Sequence, residues 1–222
     1  MGGRSKMEVN EKKLLSVERR NTGTSWTYNE DFDKNGCLVI KDLCNPESLY
    51  HPLPEMRGQL NYRSKDLDDF EHKEVEGQVK GSLSRYWHPQ YRKTHNEIKS
   101  VLERVIGRKL YNTYYYDRFY FAGQKLVKHI DRDACEISVS VHVSSNLQED
   151  WPFFIKVPSG EFVGINLEPG DAVLYKGCER PHWRYEMPYP SKIVEGELYY
   201  HQIFFHYVLQ DGIRAHFAFD RG

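Results

Sequence analysis

The sequence predicts an α+β, mainly β fold: a double-stranded β-helix, or jelly roll, with buttressing helices on its N-terminal side. Three observations predict it. One amphipathic helical stretch near mid-chain is followed by a meander of short aromatic and β-branched runs. Turn signals carrying Gly and Pro separate those runs at close intervals. Aromatic residues make up 14% of the 222 residues, a bias that suits pleated sheet surfaces better than a helical bundle.

Residues 1–35 are polar and charged without periodicity and read as a poorly ordered lead-in, which leaves 36–222 as a single domain. CLVIKDL (37–43) reads as a short strand. In CNPESLY, Asn45 is placed to cap a helix whose first position is Pro46. Residues 54–93 are dense in charge and punctuated by glycine. With Arg57, Tyr62, Arg63, Arg85 and Trp87, that segment suits either a cover over a site or a solvated surface loop. THNEIKSVLERVIG (94–107) carries the helical stripe, formed by Ile98, Val101, Leu102, Val105 and Ile106. Thr94 and Glu97 suit a capping box, and Gly107 sits where a C-terminal glycine belongs. Strands are expected at 112–121, 135–143, 152–157, 161–167, 171–177 and 199–209. Turns are expected at Ala122-Gly123, Pro158-Ser159-Gly160 and Pro169-Gly170-Asp171.

Bulk charge narrows the function classes. A net charge of −1 and a pI of about 6.8 give no electrostatic case for nucleic acid or an anionic membrane. No apolar run approaches spanning length, and no secretory signal is visible. Cys37, Cys44, Cys135 and Cys178 are scattered, with no C-x-x-C pair, and read as free thiols of a reducing cytoplasm.

The chemistry centres on KLVKHIDRDACEIS (125–138), where His129 and Asp131 flank one isoleucine. On a strand, residues two apart share a face, so both side chains can reach one ion. With ten histidines in the chain, roughly 0.6 such triplets are expected by chance, so context must decide. His95-x-Glu97 lies in the helix, where residues two apart diverge. His72-x-Glu74 sits in a run of charges. Only His129-x-Asp131 leaves a strand and turn and enters another strand-rich stretch. A facial two-His, one-carboxylate site then needs a distant histidine. His182 follows a turn and a strand in PGDAVLYKGCERPHWR, and it shares an extended face with Arg184, a permanent cation suited to an anionic co-substrate. His142 is placed as a pocket-lining donor. His201 and His206, five apart on the last strand, face opposite sides, so that one can line the cavity while the other faces out. Singly, each histidine is more often a hydrogen-bonded structural residue than a ligand; the conjunction and its order favour a metal site. The tyrosines at 114, 115, 116 and 120 read, as a group, as core and sheet-face residues.

Three blocks resemble the iron- and 2-oxoglutarate-dependent oxygenases, in the branch related to prolyl 4-hydroxylases: YFAGQKLVKHID (120–131), LEPGDAVLYKGCERPHWR (167–184) and HQIFFHYVLQDG (201–212). The resemblance spans roughly residues 110–210. It implies Fe(II) held by His129, Asp131 and His182, with Tyr120 touching 2-oxoglutarate and molecular oxygen as the oxidant. The distal carboxylate needs a basic partner. Arg184 ranks first and Lys192, at the spacing the branch uses, second, although Pro188 and Pro190 extend that segment; Arg118 ranks third. The implied reaction is hydroxylation of a prolyl or other amino-acid side chain in a protein or peptide, with release of succinate and CO2. The alternatives are the same chemistry on a free small molecule or alkylated base, or a non-catalytic jelly-roll binding module, which would have no reason to keep all three ligands.

Overall fold

The computed structural model describes residues 15–19, 26–51, 71–73, 78–189 and 198–220. In chain order the elements are β1 (Ser16–Val17), α1 (Asp31–Asn35), β2 (Cys37–Ile40), β3 (Glu71–Lys73), β4 (Leu83–Tyr86), α2 (Tyr91–Ile106), β5 (Leu110–Phe121), β6 (Leu126–His129), β7 (Ile137–Ser145), β8 (Phe153–Lys156), β9 (Phe162–Ile165), β10 (Ala172–Tyr175), β11 (His182–Arg184) and β12 (Tyr199–Leu209). They form a large sheet ordered β1-β2-β10-β7-β12-β5-β4-β3 and a small one ordered β6-β11-β8-β9. From β5 onward the chain passes back and forth between the two sheets, which is the winding of a double-stranded β-helix. The jelly-roll reading holds.

One face of the large sheet packs against the helices. Ile98, Leu102, Val105 and Ile106 of α2 join Leu38, Ile40, Val139, Val141, Ile203 and Phe205 in a single buried cluster. The other face meets the small sheet, where Tyr120, Val173, Tyr175 and Tyr200 pack on Phe153, Ile155 and Val163. Strands between two covered faces must be apolar on both, as β10 is.

The helix starts one turn earlier than its stripe predicts, at Tyr91. Thr94 is therefore inside the helix and the expected capping box does not form; the N-cap is Gln90, with no side-chain bond. The reason is that Tyr91 and His95, left out of the aliphatic stripe read from the sequence, are buried and extend it backward. Gly107 takes the left-handed conformation at φ 67° and ends the helix, as expected. Asn45 Oδ1 accepts from the Glu47 N–H at 3.1 Å, capping a single 3-10 turn at Pro46–Ser48.

Within 1–35, Ser16–Val17 pairs with β2 and α1 buries Phe32, so these described parts of the lead-in are built into the fold. Most of the charged 54–93 segment, including Arg57, Tyr62 and Arg63, lies outside the described residues. In its described end, Leu83–Tyr86 is sheet rather than solvated loop: β4 pairs with β5, and Arg85 is buried. No described helix is long and apolar enough to cross a membrane.

Candidate metal centre and anion pocket

His129 ends β6 and Asp131 follows two residues on. His182 opens β11, and the antiparallel register sets it directly opposite His129. The imidazole centroids are 4.3 Å apart, and each Nε2 lies 3.5 Å from Asp131 Oδ1. One ligand-type atom from each of the three residues falls within 4.8 Å of the others. Both Nδ1 atoms are committed elsewhere: His129 donates to Val127 O at 2.7 Å and His182 to Arg180 O at 2.9 Å. Those bonds fix the tautomer and leave each Nε2 lone pair aimed at the shared space.

Asp131 is held by two hydrogen bonds. Its N–H donates to Gly177 O at 2.9 Å, and its Oδ2 accepts from Ser138 Oγ at 3.1 Å. Ser138 Oγ also lies 3.0 Å from Cys135 O, so its one proton serves either that carbonyl or Asp131, while His206 Nδ1, 3.0 Å away, can donate to the hydroxyl oxygen. Gly177 permits this approach: a Cβ there would collide with Asp131 Oδ2 and Cys135 O, and would stand 2.7 Å from Ser138 Oγ. Burial works against the Asp131 charge, but the two imidazoles reverse that and hold the carboxyl well below its usual range. A second cluster, Asp131, Cys135 and His206, also brings ligand-type atoms within 4.8 Å. Burial pushes the Cys135 thiol well up, and its sulfur already lies 3.2 Å from Tyr114 Oη, so it is a weak ligand beside the imidazole pair.

Arg184 shares the inner face of β11 with His182, about 6.6 Å further along at the usual strand rise. It is 2% exposed, and no carboxylate among the described residues lies within ion-pair distance of it. One terminal nitrogen donates to Trp151 O, and the other to Gln202 Oε1 at 3.1 Å; Nε has no partner. Its guanidinium carbon stands 4.5 Å from the ring centroids of both Trp151 and Tyr200. Gln202 Nε2 donates onward to Tyr120 Oη at 3.4 Å, and Arg118 reaches the same hydroxyl at 3.3 Å. His142 stacks on Tyr200 at 4.2 Å and donates through Nδ1 to Leu167 O at 2.7 Å. Burial pushes its pKa down to about 4, and Arg184 adds to the effect. Among the described residues, Ser140 Oγ, His142 Nε2 and His206 Nε2 are buried without a hydrogen-bond partner. With Arg184 Nε they lie on the face turned toward the small sheet, where a polar ligand can satisfy them together; other such atoms, Tyr115 Oη and His201 Nδ1 among them, lie on the helix side.

The structure thus brings His129, Asp131 and His182 together and sets Arg184, Tyr120 and His142 beyond them. Lys192 lies outside the described residues. His206 faces the His129–Asp131–His182 cluster, whereas His201 faces the helix side of the sheet; it does not reach solvent but is fully buried on Asp117. Sequence reasoning passed over Ser138, Ser140, Gln202 and Gly177. A signal for the serines was present in ISVSVH (137–142): every second residue of a fully buried strand is polar, so one face of that strand must meet something polar.

No family model matches the sequence, and no curated protein does. Solved structures do match in fold. The chain is similar to a Pseudomonas putida prolyl-4-hydroxylase, with 13% identity, a TM-score of 0.53 and coverage of 80% of this chain and 95% of that one. It is similar to a Burkholderia pseudomallei oxidoreductase of the 2OG-Fe(II) oxygenase family, with 10% identity, a TM-score of 0.55 and coverage of 87% and 94%. It is also similar to HygX from Streptomyces hygroscopicus, solved with nickel, 2-oxoglutarate and hygromycin B, at 12% identity, a TM-score of 0.53 and coverage of 79% and 84%. At these identities the likeness establishes a shared fold.

Proposed function

We propose that the chain is an Fe(II)- and 2-oxoglutarate-dependent dioxygenase that hydroxylates a prolyl or other amino-acid side chain. One observation carries the reading: a facial His129–Asp131–His182 set whose Nε2 atoms are pre-aimed, with the buried guanidinium of Arg184 one strand step away and unanswered by any described carboxylate. Both halves fit their proposed occupants. Two neutral imidazoles and one carboxylate suit Fe(II) and leave open positions on one face. An unpaired, buried guanidinium suits the far carboxylate of a dicarboxylic acid. The solved relatives with bound metal and 2-oxoglutarate support the same assignment.

When bound, iron and 2-oxoglutarate supply the oxidation of a substrate C–H bond by molecular oxygen, with succinate and CO2 as co-products. The protein's own part is orientation and shielding. Val127 O and Arg180 O hold the imidazole tautomers, and Ser138 and Gly177 hold the carboxylate. Arg184 binds the distal carboxylate while Trp151 and Tyr200 close water away from it, which strengthens the ion pair. Tyr120 and Gln202 fix the guanidinium's approach through their mutual hydrogen bond. The amino-acid target is supported by the prolyl hydroxylase among the fold relatives. Four unpaired thiols suit a reducing cytoplasm.

The test is anaerobic addition of Fe(II), then 2-oxoglutarate. A weak visible charge-transfer band is expected only with both present, and it is expected to vanish in His182→Ala. Metal-loaded protein that gives no band with 2-oxoglutarate sinks the reading.

A further inference from the structure

Arg118 is a second buried guanidinium in the same space, and the proposed co-substrate does not account for it. It is 1% exposed and donates through Nε to Ser84 Oγ at 3.0 Å and through a terminal nitrogen to Tyr120 Oη at 3.3 Å. No carboxylate among the described residues pairs with it. Its neighbour Asp117 points to the opposite face of the sheet and is bound to Arg85 and His201.

The charges of the loaded centre show what is left over. A divalent cation, the Asp131 carboxylate, a 2-oxoglutarate dianion and Arg184 cancel, so among the described residues Arg118 remains as one uncompensated buried positive charge. A guanidinium cannot shed its proton to escape burial. The faces of Tyr116, Tyr120 and Phe204, 5.3, 5.6 and 5.7 Å from its central carbon, offset only part of that cost.

The surroundings are built for a ring beside an anion. Tyr86, Tyr116 and Phe204 are cross-strand partners on β4, β5 and β12, one residue pair nearer the metal centre than Arg118. Their rings stack, with centroids 4.8 Å apart for Tyr86–Tyr116 and 4.6 Å for Tyr116–Phe204. Beyond Phe204 on the same strand face comes His206, which contacts Ser138 beside Asp131.

We propose that Arg118 is the substrate's anion subsite: the primary substrate carries a single free carboxylate that pairs with Arg118, with a flat or cyclic body along the Tyr116–Phe204 wall toward the metal. This refines the oxygenase reading and rests on it. One negative charge matches the surplus, whereas a phosphate monoester, nearly a dianion at neutral pH, overshoots it. An internal prolyl residue of a long chain has no such carboxylate; a free or N-acylated amino acid, or a chain's own C-terminal residue, does.

Calorimetry on the full chain loaded with Mn(II) and saturating 2-oxoglutarate tests this with two matched pairs: N-acetyl-L-proline against N-acetyl-L-prolinamide, and benzoate against benzamide. In at least one pair the acid is expected to bind about tenfold or more tightly than its amide, the scale of one charge-assisted contact. Arg118→Gln is expected to bring that pair within about twofold while 2-oxoglutarate affinity stays within about threefold, and Arg118→Lys to recover part of the preference. A tripeptide ending in proline, with its C-terminal amide as control, separates a peptide terminus from a free amino acid. Three results overturn the proposal: no acid preference in either pair, a preference that survives Arg118→Gln, or a loss of 2-oxoglutarate affinity in Arg118→Gln as large as in Arg184→Gln. Wild-type protein that takes up no 2-oxoglutarate overturns the oxygenase reading instead.

Discussion

Arg85 and Arg118 are both buried on neighbouring strands of the large sheet, β4 and β5, 2% and 1% exposed, yet they sit in opposite situations. Arg85 faces the helices. Asp117 accepts from its Nε at 3.0 Å through each carboxylate oxygen and also binds a terminal nitrogen, while Oδ2 accepts from His201 Nε2 at 2.7 Å and from Tyr91 Oη at 3.4 Å. Burial alone would raise the Asp117 pKa; the Arg85 charge and the His201 bond reverse this and hold it far below the usual carboxylate range. Arg118 and Arg184 face the small sheet and find hydroxyls, carbonyls, an amide and aromatic rings, but no acid among the described residues. A charge answered from within the chain serves the fold. A charge left unanswered at equal burial costs stability unless a bound anion answers it.

That contrast can be broken most forcefully on the helix side. Asp117→Ala leaves Arg85 buried without its partner and is expected to cost about 3–5 kcal/mol, read as a lowered midpoint in urea unfolding. A cost below about 1 kcal/mol would show that the network is not structural.

Acid sharpens the same face. His95 is buried on α2, accepts from Asn112 Nδ2 at 3.4 Å through Nδ1, and donates through Nε2 to His206 O at 3.1 Å. Burial pushes its pKa down to about 4. Above the ordinary histidine pKa of about 6.5 both folded and unfolded states are neutral, and the contribution is fully present. Between there and about 4 only the unfolded chain takes the proton, so stability falls with falling pH, by up to about 3 kcal/mol from this residue. Equilibrium unfolding at stepped pH checks it, and His95→Phe should flatten the slope in that window.

The inner face should respond in binding rather than in stability. His182→Ala is expected to lower divalent-metal affinity by about a hundredfold or more, with an unfolding midpoint close to wild type, measured by metal titration and thermal denaturation on one preparation. Arg184→Gln is expected to weaken 2-oxoglutarate binding by about tenfold or more and to leave the apo protein as stable or slightly more so, since it removes an unpaired buried charge. A large loss of apo stability there would move Arg184 to the same structural class as Arg85.

How much of this was legible in the sequence varied by element. The later strands were, because turns and β-branched runs are local signals: Phe153–Lys156 and Tyr199–Leu209 fall where patterning placed them. The start of α2 was not, because burial of Tyr91 rests on partners far from it in sequence: its hydroxyl donates to Leu49 O at 3.1 Å. The His129, Asp131 and His182 set was legible from order and context. Its supports were not, since Ser138 and Gly177 act only through proximity that no spacing rule expresses.

The sequence alone determined the period of each strand, the helix that buttresses them, and the residue types able to hold a metal and an anion. Those follow from local propensity and from side chains alternating across a pleat. Only the tertiary structure decided which charges have partners. Asp117 and Arg118 are adjacent in sequence, and alternation sends them to opposite faces. What each meets depends on strands brought in from far along the chain: β4 gives Asp117 its Arg85, and β12 gives Arg118 the aromatic ring of Phe204 and no acid. Pairing of a buried charge is a long-range contact, and a sequence read along its length does not contain it.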